Sequence, residues 1–561
     1  MRKTITGIGI ALFFSGVFLF VFMASQSYDN FIKCILEFTN LSVDKRQKLE
    51  NCLSNRTFQT LKFLPLVIST LGIFIVCRSA ILTQYLVKTL NWVKRVFLFL
   101  TSLPNEQKYK LIFIITISFA NNLYNTLNMP IFYDEAWTYL NFTKKGVLGS
   151  ISYYPAPNNH ILHSVLTNLT YYLPFGQTTN LRLPNLIVSL FSSILFFYTF
   201  SKLLNRKIAL ILLPLYCFLF PVLYYSYLSR GYSLLLLSFI ICFYSTIRLT
   251  TDTGKIKPYF KYYISLSIGA VLGFYTMPSF LYPYFTCISF IFLYWKIKRN
   301  YTNIFHLFLS GLIVSVTVLS LYAPVFIISG IDAVTHNRFV EPILRTEVFN
   351  NLIHHFNETC VFLTGIPLIY VLILILLSTF ILFKNKQYSS IFILYIFLIA
   401  PFILLLHSVI PFPRTWVYMI IPLLFAIGSL LKLSLINENI PKGRATIFSM
   451  LLSSLLIYSF YGKITLKESF SYKSTEIANY LINNNANFIY VNHPLITTNL
   501  VYIFEENNMD INMKCSQNSI ENEEIKVIKS CCDYLITTEH LDSEFDFVKK
   551  WEGNTYLSKN N

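Results

Sequence analysis

The sequence predicts an all-α polytopic membrane protein that ends in a small α/β domain. Of its 561 residues, 54% are hydrophobic and only 13% are charged, whereas a soluble protein has about 25% charged residues. Apolar runs of about 18 or more residues recur along the chain, and each is long enough to cross a hydrocarbon core as a helix. These two features exclude an ordinary soluble globular protein.

About thirteen membrane-spanning helices follow from the apolar runs. Their approximate positions are 5–24, 63–86, 109–128, 183–204, 207–228, 231–249, 262–278, 280–296, 303–329, 365–383, 389–408, 416–434 and 445–461. Basic clusters between the runs, such as Lys94-Arg95 and Lys296 to Arg299, fall in alternate loops, which is the positive-inside pattern. The net charge of +18 therefore indicates cytoplasmic anchors, not nucleic-acid binding. The segments expected outside are 25–62, 129–182, 330–364, 409–415 and all residues after 461.

Three parts of the chain are predicted from these patterns. Residues 1–108 form an N-terminal transmembrane hairpin with a cytoplasmic linker, and residues 109–461 form the main membrane domain. Residues 462–561 hold nine basic and fourteen acidic residues, in contrast to the basic remainder. Within this tail, helix-like stretches alternate with strand-like pieces such as "NFIYV" and "DYLITTEH". That alternation predicts a small α/β domain on the outer membrane face.

Two adjacent carboxylates, Asp134 and Glu135, lie in "FYDEAWTYLNF" directly after an apolar run. Ionisable residues close to hydrocarbon are costly and often functional, and the alternative is an N-terminal helix cap. A carboxylate here can act as a general base or bind a divalent metal. Because adjacent side chains point apart, we expect Asp134 to reach a reacting hydroxyl and Glu135 to orient acceptor, metal or a basic partner. A water-excluded site is expected to raise the pKa of both carboxyls.

An ordered set of motifs resembles the GT-C glycosyltransferases. The motifs are "YDEAWT", "PNNH", "LRLPN", "YLSRGYSLLLL" at 227–237 and "GFYTMPSFLYP" at 273–283. They are most similar to the glycosyltransferase family 39-like branch of protein O-mannosyltransferases and bacterial aminoarabinose transferases, over most of residues 110 to 461. The resemblance implies that a sugar passes from a polyprenyl-phosphate carrier to an acceptor hydroxyl, with inversion. The reaction would take place outside the bacterial cytoplasmic membrane, and the acceptor would be a lipid, a glycan or a protein. By position, Asp134 matches the catalytic acidic residue of the family and Glu135 is its neighbour.

Arginines at the outer ends of spans are the candidates for binding the donor phosphate, whose negative charge grows as it leaves. Arg230 in "SRGY" resembles the family's arginine at that junction, and Arg414 lies in "PFPRTW". An interfacial anchor that snorkels is the alternative role for both. Arg182 is a third candidate, although it could equally pair with one of the two carboxylates.

The remaining candidates concern substrate and metal. His160 and Asn159 of "PNNH" could hydrogen-bond acceptor or phosphate, or could serve the local structure. Tyr133 could stack on a sugar or belong to the interfacial aromatic belt. Related enzymes often carry an acid or amide just before the motif arginine, where this chain has Ser229. A divalent cation, Mg²⁺ or Mn²⁺, held by Asp134 and Glu135 therefore stays an open expectation.

Three other functions are weighed against a glycosyltransferase, and one of them, a structural or receptor protein with a sensing domain in the tail, leaves Asp134 and Glu135 unexplained. A transporter or flippase for lipid-linked glycans usually shows inverted repeats and charges at the membrane midplane. Here the ionisable residues gather at outer helix ends and no repeat is apparent. A polymerase or ligase that uses a lipid-diphosphate donor would share the same outer-face chemistry, so the sequence leaves that alternative open. The identities of sugar and acceptor also stay open.

Overall fold

The structure is a computed structural model that divides into two compact units. It describes residues 2–39, 58–59, 62–77, 79–80, 94–251, 256–335, 341–384, 389–435, 442–509, 511–515, 532–537, 546–551 and 555–559. The first unit comprises Met1–Phe113, Ile151–Pro157 and Leu319–Glu341. The second comprises Ile114–Ser150, Asn158–Val318 and Pro342–Asn561, and it contains every residue of the candidate site below.

Helices make up most of the chain before the C-terminal domain. Their bounds are Arg2–Ser25, Tyr28–Thr39, Leu64–Cys77, Asn105–Asn128, Tyr133–Asn141, Gly146–Ser152, Ile161–Thr170, Gln177–Leu203, Arg206–Phe218, Phe220–Tyr227, Tyr232–Thr251, Ile256–Thr276, Leu281–Ile297, Tyr301–Ile328, Asp332–Thr335, Arg345–Thr364, Leu368–Lys384, Ser389–His407, Ile420–Leu435 and Lys442–Lys467. Short 3-10 turns occupy Thr143–Lys145, Pro278–Phe280 and Pro413–Met419. We call Tyr133–Asn141 the acidic helix.

Apolar helices make this chain an integral membrane protein. A helix overlaps each of the thirteen predicted spans. Within the described residues, however, five helices are long and apolar enough to cross a membrane, or up to seven if two bent pairs are each taken as one span. The predicted count of about thirteen is therefore not confirmed, because several helices are short or bent.

A proline breaks the predicted span at 207–228. Helix Arg206–Phe218 ends before Leu219, and helix Phe220–Tyr227 continues at an angle of 64°. In a continuous helix the Pro221 ring would clash with the carbonyl of Cys217 and would leave that carbonyl without a donor. The helix after the break leads directly into the "SRGY" motif at 229–232.

The predicted outer loop at 330–364 contains a helix instead. Helix Arg345–Thr364 ends at Gly365, which has a left-handed φ of +76° that glycine adopts without steric cost. Helix Leu368–Lys384 then departs at 79°. The pair is a broken span or a re-entrant segment, a feature that a loop assignment missed.

Within the first unit, helices Arg2–Ser25 and Leu64–Cys77 approach each other closely. A Cβ atom at Gly16 would lie 2.6 Å from the carbonyl oxygen of Pro65, and one at Gly72 would lie 2.6 Å from that of Gly9. Small residues allow this backbone approach in membrane helix pairs.

The C-terminal domain is a five-stranded mixed sheet covered by helices, and it confirms the predicted α/β domain. Strands β1 (Phe488–Val491), β2 (Asn512–Cys515), β3 (Tyr534–Thr537), β4 (Asp546–Trp551) and β5 (Thr555–Lys559) are arranged in the order β2-β1-β3-β5-β4. Strand β1 is parallel to β2 and β3, whereas β5 is antiparallel to β3 and β4. Helices Ser469–Asn483 and Pro494–Glu506 supply Ile477 and Leu500 to its core.

This domain shares its hydrophobic core with the acidic helix. Ala136 and Tyr139 of that helix are buried in the same cluster as Leu500 and Tyr502. The rings of Tyr139 and Tyr502 meet edge-on with centroids 5.1 Å apart. Tyr502 Oη also lies 2.9 Å from Thr178 Oγ1. The C-terminal domain therefore supports the element that carries both carboxylates.

Candidate functional site

The acidic helix begins directly after Phe132 and places its two carboxylates in different environments. The Glu135 carboxylate turns back and accepts the backbone N–H of Phe132 at 3.2 Å. The predicted alternative of a helix cap is thus realised through Glu135, which is fully buried. The side chain of Asp134 is 32% exposed. The expected division of labour between the two residues has a clear geometric basis.

Glu135 and Arg182 form a buried ion pair. Arg182 donates from Nε to Glu135 Oε1 at 2.9 Å and from Nη2 to Oε2 at 2.6 Å, and neither side chain is exposed. The other Arg182 donors reach backbone carbonyls. Nη1 reaches Met129 at 2.8 Å and Thr126 at 3.3 Å, and Nη2 reaches Pro130 at 2.7 Å.

This pairing is one of the two roles that the sequence left open for Arg182. A guanidinium has five N–H groups, and protein acceptors engage all of them here. No donor is left for a lipid phosphate. Arg182 instead holds the start of the acidic helix against the span Gln177–Leu203. It is therefore the basic partner that the sequence analysis gave as one possibility for Glu135.

Asp134 lies between two guanidiniums from distant parts of the chain. Arg414 Nη1 is 3.2 Å from Asp134 Oδ2, across 280 residues of sequence. Arg230 Nη2 is 3.7 Å from the same oxygen. The structure therefore brings together the predicted carboxylate and two of the three predicted phosphate-binding arginines.

The pKa of Asp134 departs from the sequence expectation. Burial raises this pKa, but the charges of Arg230 and Arg414 outweigh burial, so that the pKa is lowered from its ordinary value of 3.8. The expectation of a raised pKa was wrong for Asp134 because it considered water exclusion without the facing cations. Asp134 is consequently ionised at neutral pH.

Arg230 is almost fully buried and is held by Asn158 and Thr138. Its Nη1 donates to Thr138 Oγ1 at 3.0 Å and to the Asn158 carbonyl at 3.2 Å, and its Nη2 donates to Asn158 Oδ1. Its Nε is buried without an acceptor among the described residues. A buried guanidinium N–H without an acceptor is costly and points to a polar group that joins the site.

The two asparagines of "PNNH" make different contacts. Asn159, the predicted substrate ligand, is buried and donates to the Ser150 carbonyl at 2.8 Å, while its Oδ1 accepts from Ser164 Oγ at 2.9 Å. These bonds assign Asn159 to the local structure. Its neighbour Asn158 contacts Arg230 and lies within hydrogen-bonding range of Asp134. Asn158, which the motif analysis did not select, is therefore the asparagine of this pair that contacts Arg230.

His160 is held in one tautomer by a backbone group. Its Nδ1 accepts the N–H of Gly231 at 2.7 Å, so a neutral ring carries its proton on Nε2. Burial, followed by the charges of Arg230 and His163, lowers the pKa of His160 well below 6.5. His160 is therefore a neutral hydrogen-bond donor beside Arg230.

His163, which the motif analysis did not select, is also fully buried. Neither ring nitrogen has a hydrogen-bond partner in the part of the chain that the structure describes. Burial and the charge of Arg230 lower its pKa to about 3, so the ring is neutral.

Tyr133 and Ser229 complete the set of residues chosen from sequence. Tyr133 is half-buried at the first position of the acidic helix. Ser229 is buried, and its backbone N–H donates to Glu135 Oε1 at 2.7 Å. The backbone of Ser229 thus contacts the buried carboxylate although its side chain is not acidic.

The two carboxylates do not fit a divalent metal. Both Glu135 oxygens already receive two donors each, from Arg182, Ser229 and Phe132, so their lone pairs are used. Asp134 faces two guanidiniums, which repel a cation. Among the described residues, no group of three or more His, Cys, Asp or Glu side chains could hold a metal ion.

Two residues at the start of the C-terminal domain, Lys467 and Glu468, belong to the site although no sequence motif indicates them. Glu468 follows helix Lys442–Lys467, and its carboxylate accepts the hydroxyl of Tyr224. The charge of Lys467 lowers the pKa of Asp134, and the charge of Asp134 raises the pKa of Glu468. No sequence pattern links them to residues 132–142, because only the fold brings them close.

The charges around Asp134 carry a positive excess. The carboxylates are those of Asp134 and Glu468, and burial raises the pKa of Glu468 although the Tyr224 hydrogen bond opposes that change. The cations are Arg230, Arg414 and Lys467. With the Glu135–Arg182 pair neutral, the site favours an anionic ligand.

Comparisons with known proteins bear on the fold. No protein-family model matches the sequence, and no curated protein matches it. Among solved structures, the chain is similar to ArnT from Cupriavidus metallidurans in the apo state, an aminoarabinose transferase of the GT-C family. The TM-score is 0.51 at 10% sequence identity, over 80% of this chain and 97% of that one. At this identity the likeness concerns the fold, and it confirms the GT-C, ArnT-like fold predicted from the motifs.

Proposed function

We propose that this chain, which has the GT-C fold, is a membrane glycosyltransferase. It transfers a sugar from a polyprenyl-phosphate-linked donor to an acceptor hydroxyl, with inversion, at the extracytoplasmic face of the bacterial cytoplasmic membrane. The observation that carries the proposal is the partly exposed Asp134 carboxylate, whose Oδ2 faces both Arg230 and Arg414. A base and phosphate-binding cations within one cluster suit transfer from a lipid phosphate.

The reaction uses Asp134 as base. The acceptor oxygen attacks the anomeric carbon from the face opposite to the phosphate, and the bond between that carbon and the phosphate oxygen breaks. Its electron pair stays on the lipid phosphate, and the hydroxyl proton passes to Asp134. Because Oδ2 faces the guanidiniums, Oδ1 is the oxygen proposed to receive the proton. A positioned base of this kind contributes about 10²- to 10⁴-fold to the rate.

The lowered pKa of Asp134 determines how it contributes. The carboxylate is ionised throughout the neutral range and is always ready to accept a hydrogen bond from the acceptor. It is a weaker base than one whose pKa lies near the operating pH. We therefore assign much of its effect to orienting the hydroxyl, with proton transfer late in the reaction.

The arginines stabilise the leaving phosphate. A lipid-phosphate sugar carries one negative charge, and the released lipid phosphate carries up to two. The positive excess around Asp134 grows more favourable as that charge develops, which is the condition for transition-state stabilisation. Arg230 has an unpartnered Nε, and the side chain of Arg414 is 34% exposed, so both have donors to offer.

Other residues have supporting roles. Glu135 positions Arg182 and the acidic helix, His160 Nε2–H donates to acceptor or phosphate, and Tyr133 stacks on the sugar. No step passes through a divalent cation, because neither carboxylate fits the role of a metal ligand. The distribution of basic loops supports an extracytoplasmic site and C-terminal domain.

The test compares wild type with Asp134→Asn in lipid nanodiscs supplied with a mixed pool of polyprenyl-phosphate sugars. We expect wild type to release polyprenyl phosphate, and we expect the rate of release by Asp134→Asn to be at least about 100-fold lower. Glu476→Gln, which alters an exposed carboxylate of the tail, is the matched control and should keep full activity.

Two results would contradict the proposal. Equal release by wild type and Asp134→Asn would remove Asp134 from catalysis. No release from any donor in the pool would point to a transporter or to an enzyme that uses a lipid-diphosphate donor.

A further inference from the structure

We propose that Lys467 is a further donor-binding residue, which contacts the phosphate of the lipid donor from the junction between the last membrane helix and the C-terminal domain. This inference rests on the proposed function and deepens it. Residues 462–561 carry no recognised motif, so nothing in the sequence links this lysine to the site.

Lys467 is connected to the start of the acidic helix through neighbouring residues. It is the last residue of helix Lys442–Lys467, and Glu468 joins that helix to Ser469–Asn483. The Glu468 carboxylate accepts the Tyr224 hydroxyl, and the Tyr224 ring stacks on Phe132, with centroids 6.0 Å apart and planes at 23°. Phe132 directly precedes the acidic helix, so a continuous set of contacts connects the junction to Asp134.

The ammonium group of Lys467 lies over three aromatic rings. Its Nζ is 4.1 Å from the ring centroid of Tyr224, 5.1 Å from that of Phe362 and 5.6 Å from that of Phe220. It makes no ion pair or hydrogen bond within the described ranges of the chain. Aromatic faces attract a cation more weakly than an anionic group does, so this ammonium has capacity for a phosphate.

The charge of Lys467 acts on the same cluster as the two arginines. It attracts Asp134 and is repelled by Arg414. Like charges close together are unfavourable unless an anion lies between them. Part of the Lys467 side chain is exposed, although its ammonium lies among the three rings, so a ligand can reach it. A phosphate that bridges Arg414 and Lys467 would relieve their repulsion.

Lys463 provides a matched control one helical turn earlier. It lies on the same helix face, and its Nζ reaches the ring of Phe220 at 5.7 Å. It therefore shares the charge, the helix and an aromatic neighbour of Lys467, but it is farther from the junction with Glu468.

The test uses tryptophan fluorescence to measure the binding of undecaprenyl phosphate to the whole chain in nanodiscs. We expect Lys467→Met and Lys467→Gln to weaken binding about tenfold or more, which is the loss of one charge-assisted hydrogen bond. Lys467→Arg should restore most of the affinity, and Lys463→Met should bind as wild type does. Uncharged undecaprenol should bind all five proteins equally, because it lacks the phosphate.

The outcomes separate this inference from the proposed function. Tight binding by wild type together with unchanged binding by Lys467→Met would overturn the role of Lys467 and leave the glycosyltransferase proposal intact. No phosphate-dependent binding by wild type would overturn both. Equal weakening by Lys463→Met would show a general effect of helix charge and would also overturn the assignment.

Discussion

Arg182 Nη2 lies 2.6 Å from Glu135 Oε2, and neither side chain is exposed. Burying two charges is costly unless their hydrogen bonds are complete, and here every Arg182 donor and both Glu135 oxygens are engaged. The pair connects the acidic helix, the span Gln177–Leu203 and the backbone N–H of Ser229. These contacts fix the start of the acidic helix, on which Asp134 lies.

Breaking this pair should destabilise the protein strongly. Glu135→Gln leaves the Arg182 guanidinium buried without a counter-charge, which should lower the free energy of unfolding by about 3–5 kcal/mol. The measurement is the midpoint of thermal unfolding in detergent. Glu476→Gln, which breaks an exposed pair with Lys549, should leave that midpoint unchanged. A Glu135→Gln midpoint equal to that of wild type would contradict the prediction.

Arg414 should control the acid limit of activity. Its charge helps to lower the pKa of Asp134, so Arg414→Met should raise that pKa. Asp134 must be ionised to act as base, and activity is lost as the pH falls through its pKa. The acid limb of kcat/KM should therefore move to higher pH in Arg414→Met. Arg345→Met, at an exposed arginine, is the control, and an unmoved limb in Arg414→Met would refute the argument.

Gly231 should be intolerant of a side chain. A Cβ atom there would lie 2.5 Å from Thr276 Cγ2 and 2.9 Å from His160 Cβ. Gly231→Ala should cost about 1–3 kcal/mol of stability by overpacking, and it should displace His160 and reduce activity. Gly311→Ala, with no atom within 4 Å of the added Cβ, should be neutral or slightly stabilising. Thermal unfolding compares the two variants, and equal midpoints would count against the prediction.

The C-terminal domain should affect catalysis through Tyr502. Its ring packs on Tyr139, and its hydroxyl lies 2.9 Å from Thr178 Oγ1. Tyr502→Ala should lower stability by about 3–5 kcal/mol, and it should lower kcat because the acidic helix loses support. Phe547→Ala, at a side chain that is 52% exposed, should change neither quantity. A Tyr502→Ala enzyme with normal stability and kcat would mean that the domain does not support the site.

Binding of a prenyl phosphate should weaken at alkaline pH. Desolvation among aromatic rings lowers the pKa of Lys467 to about 8, with Arg414 acting in the same direction and Glu468 and Asp134 opposing it. The lysine is cationic below that pH and neutral above it. The second pKa of a phosphate monoester is about 6, so the charge of the ligand is constant from pH 7 to 9.

Over that range, wild-type affinity for undecaprenyl phosphate should fall while that of Lys467→Arg stays level, because a guanidinium does not deprotonate. Titration of both proteins at pH 7, 8 and 9 checks the prediction. A parallel fall in the two proteins would assign the effect to another group.

Three short sequence segments selected side chains of the candidate site. "YDEAWT", "SRGY" and "PFPRTW" indicated Asp134, Arg230 and Arg414, and the structure brings these three side chains together. The sequence does not distinguish between adjacent residues of the same type. Asn158 and Asn159 are adjacent asparagines, and only the fold shows that Asn158 reaches Arg230 whereas Asn159 bonds to Ser150 and Ser164.

By itself, the sequence determined the membrane class, the position of most helices and the presence of an α/β tail. These properties depend on hydropathy and periodicity, which are determined by residues close together in the sequence. Only the tertiary structure decided that Arg182 pairs with Glu135, that Asp134 faces Arg414 across 280 residues, and that Lys467 and Glu468 join them. Charges interact through space, and their partners, exposure and pKa are set by distances that the fold alone creates.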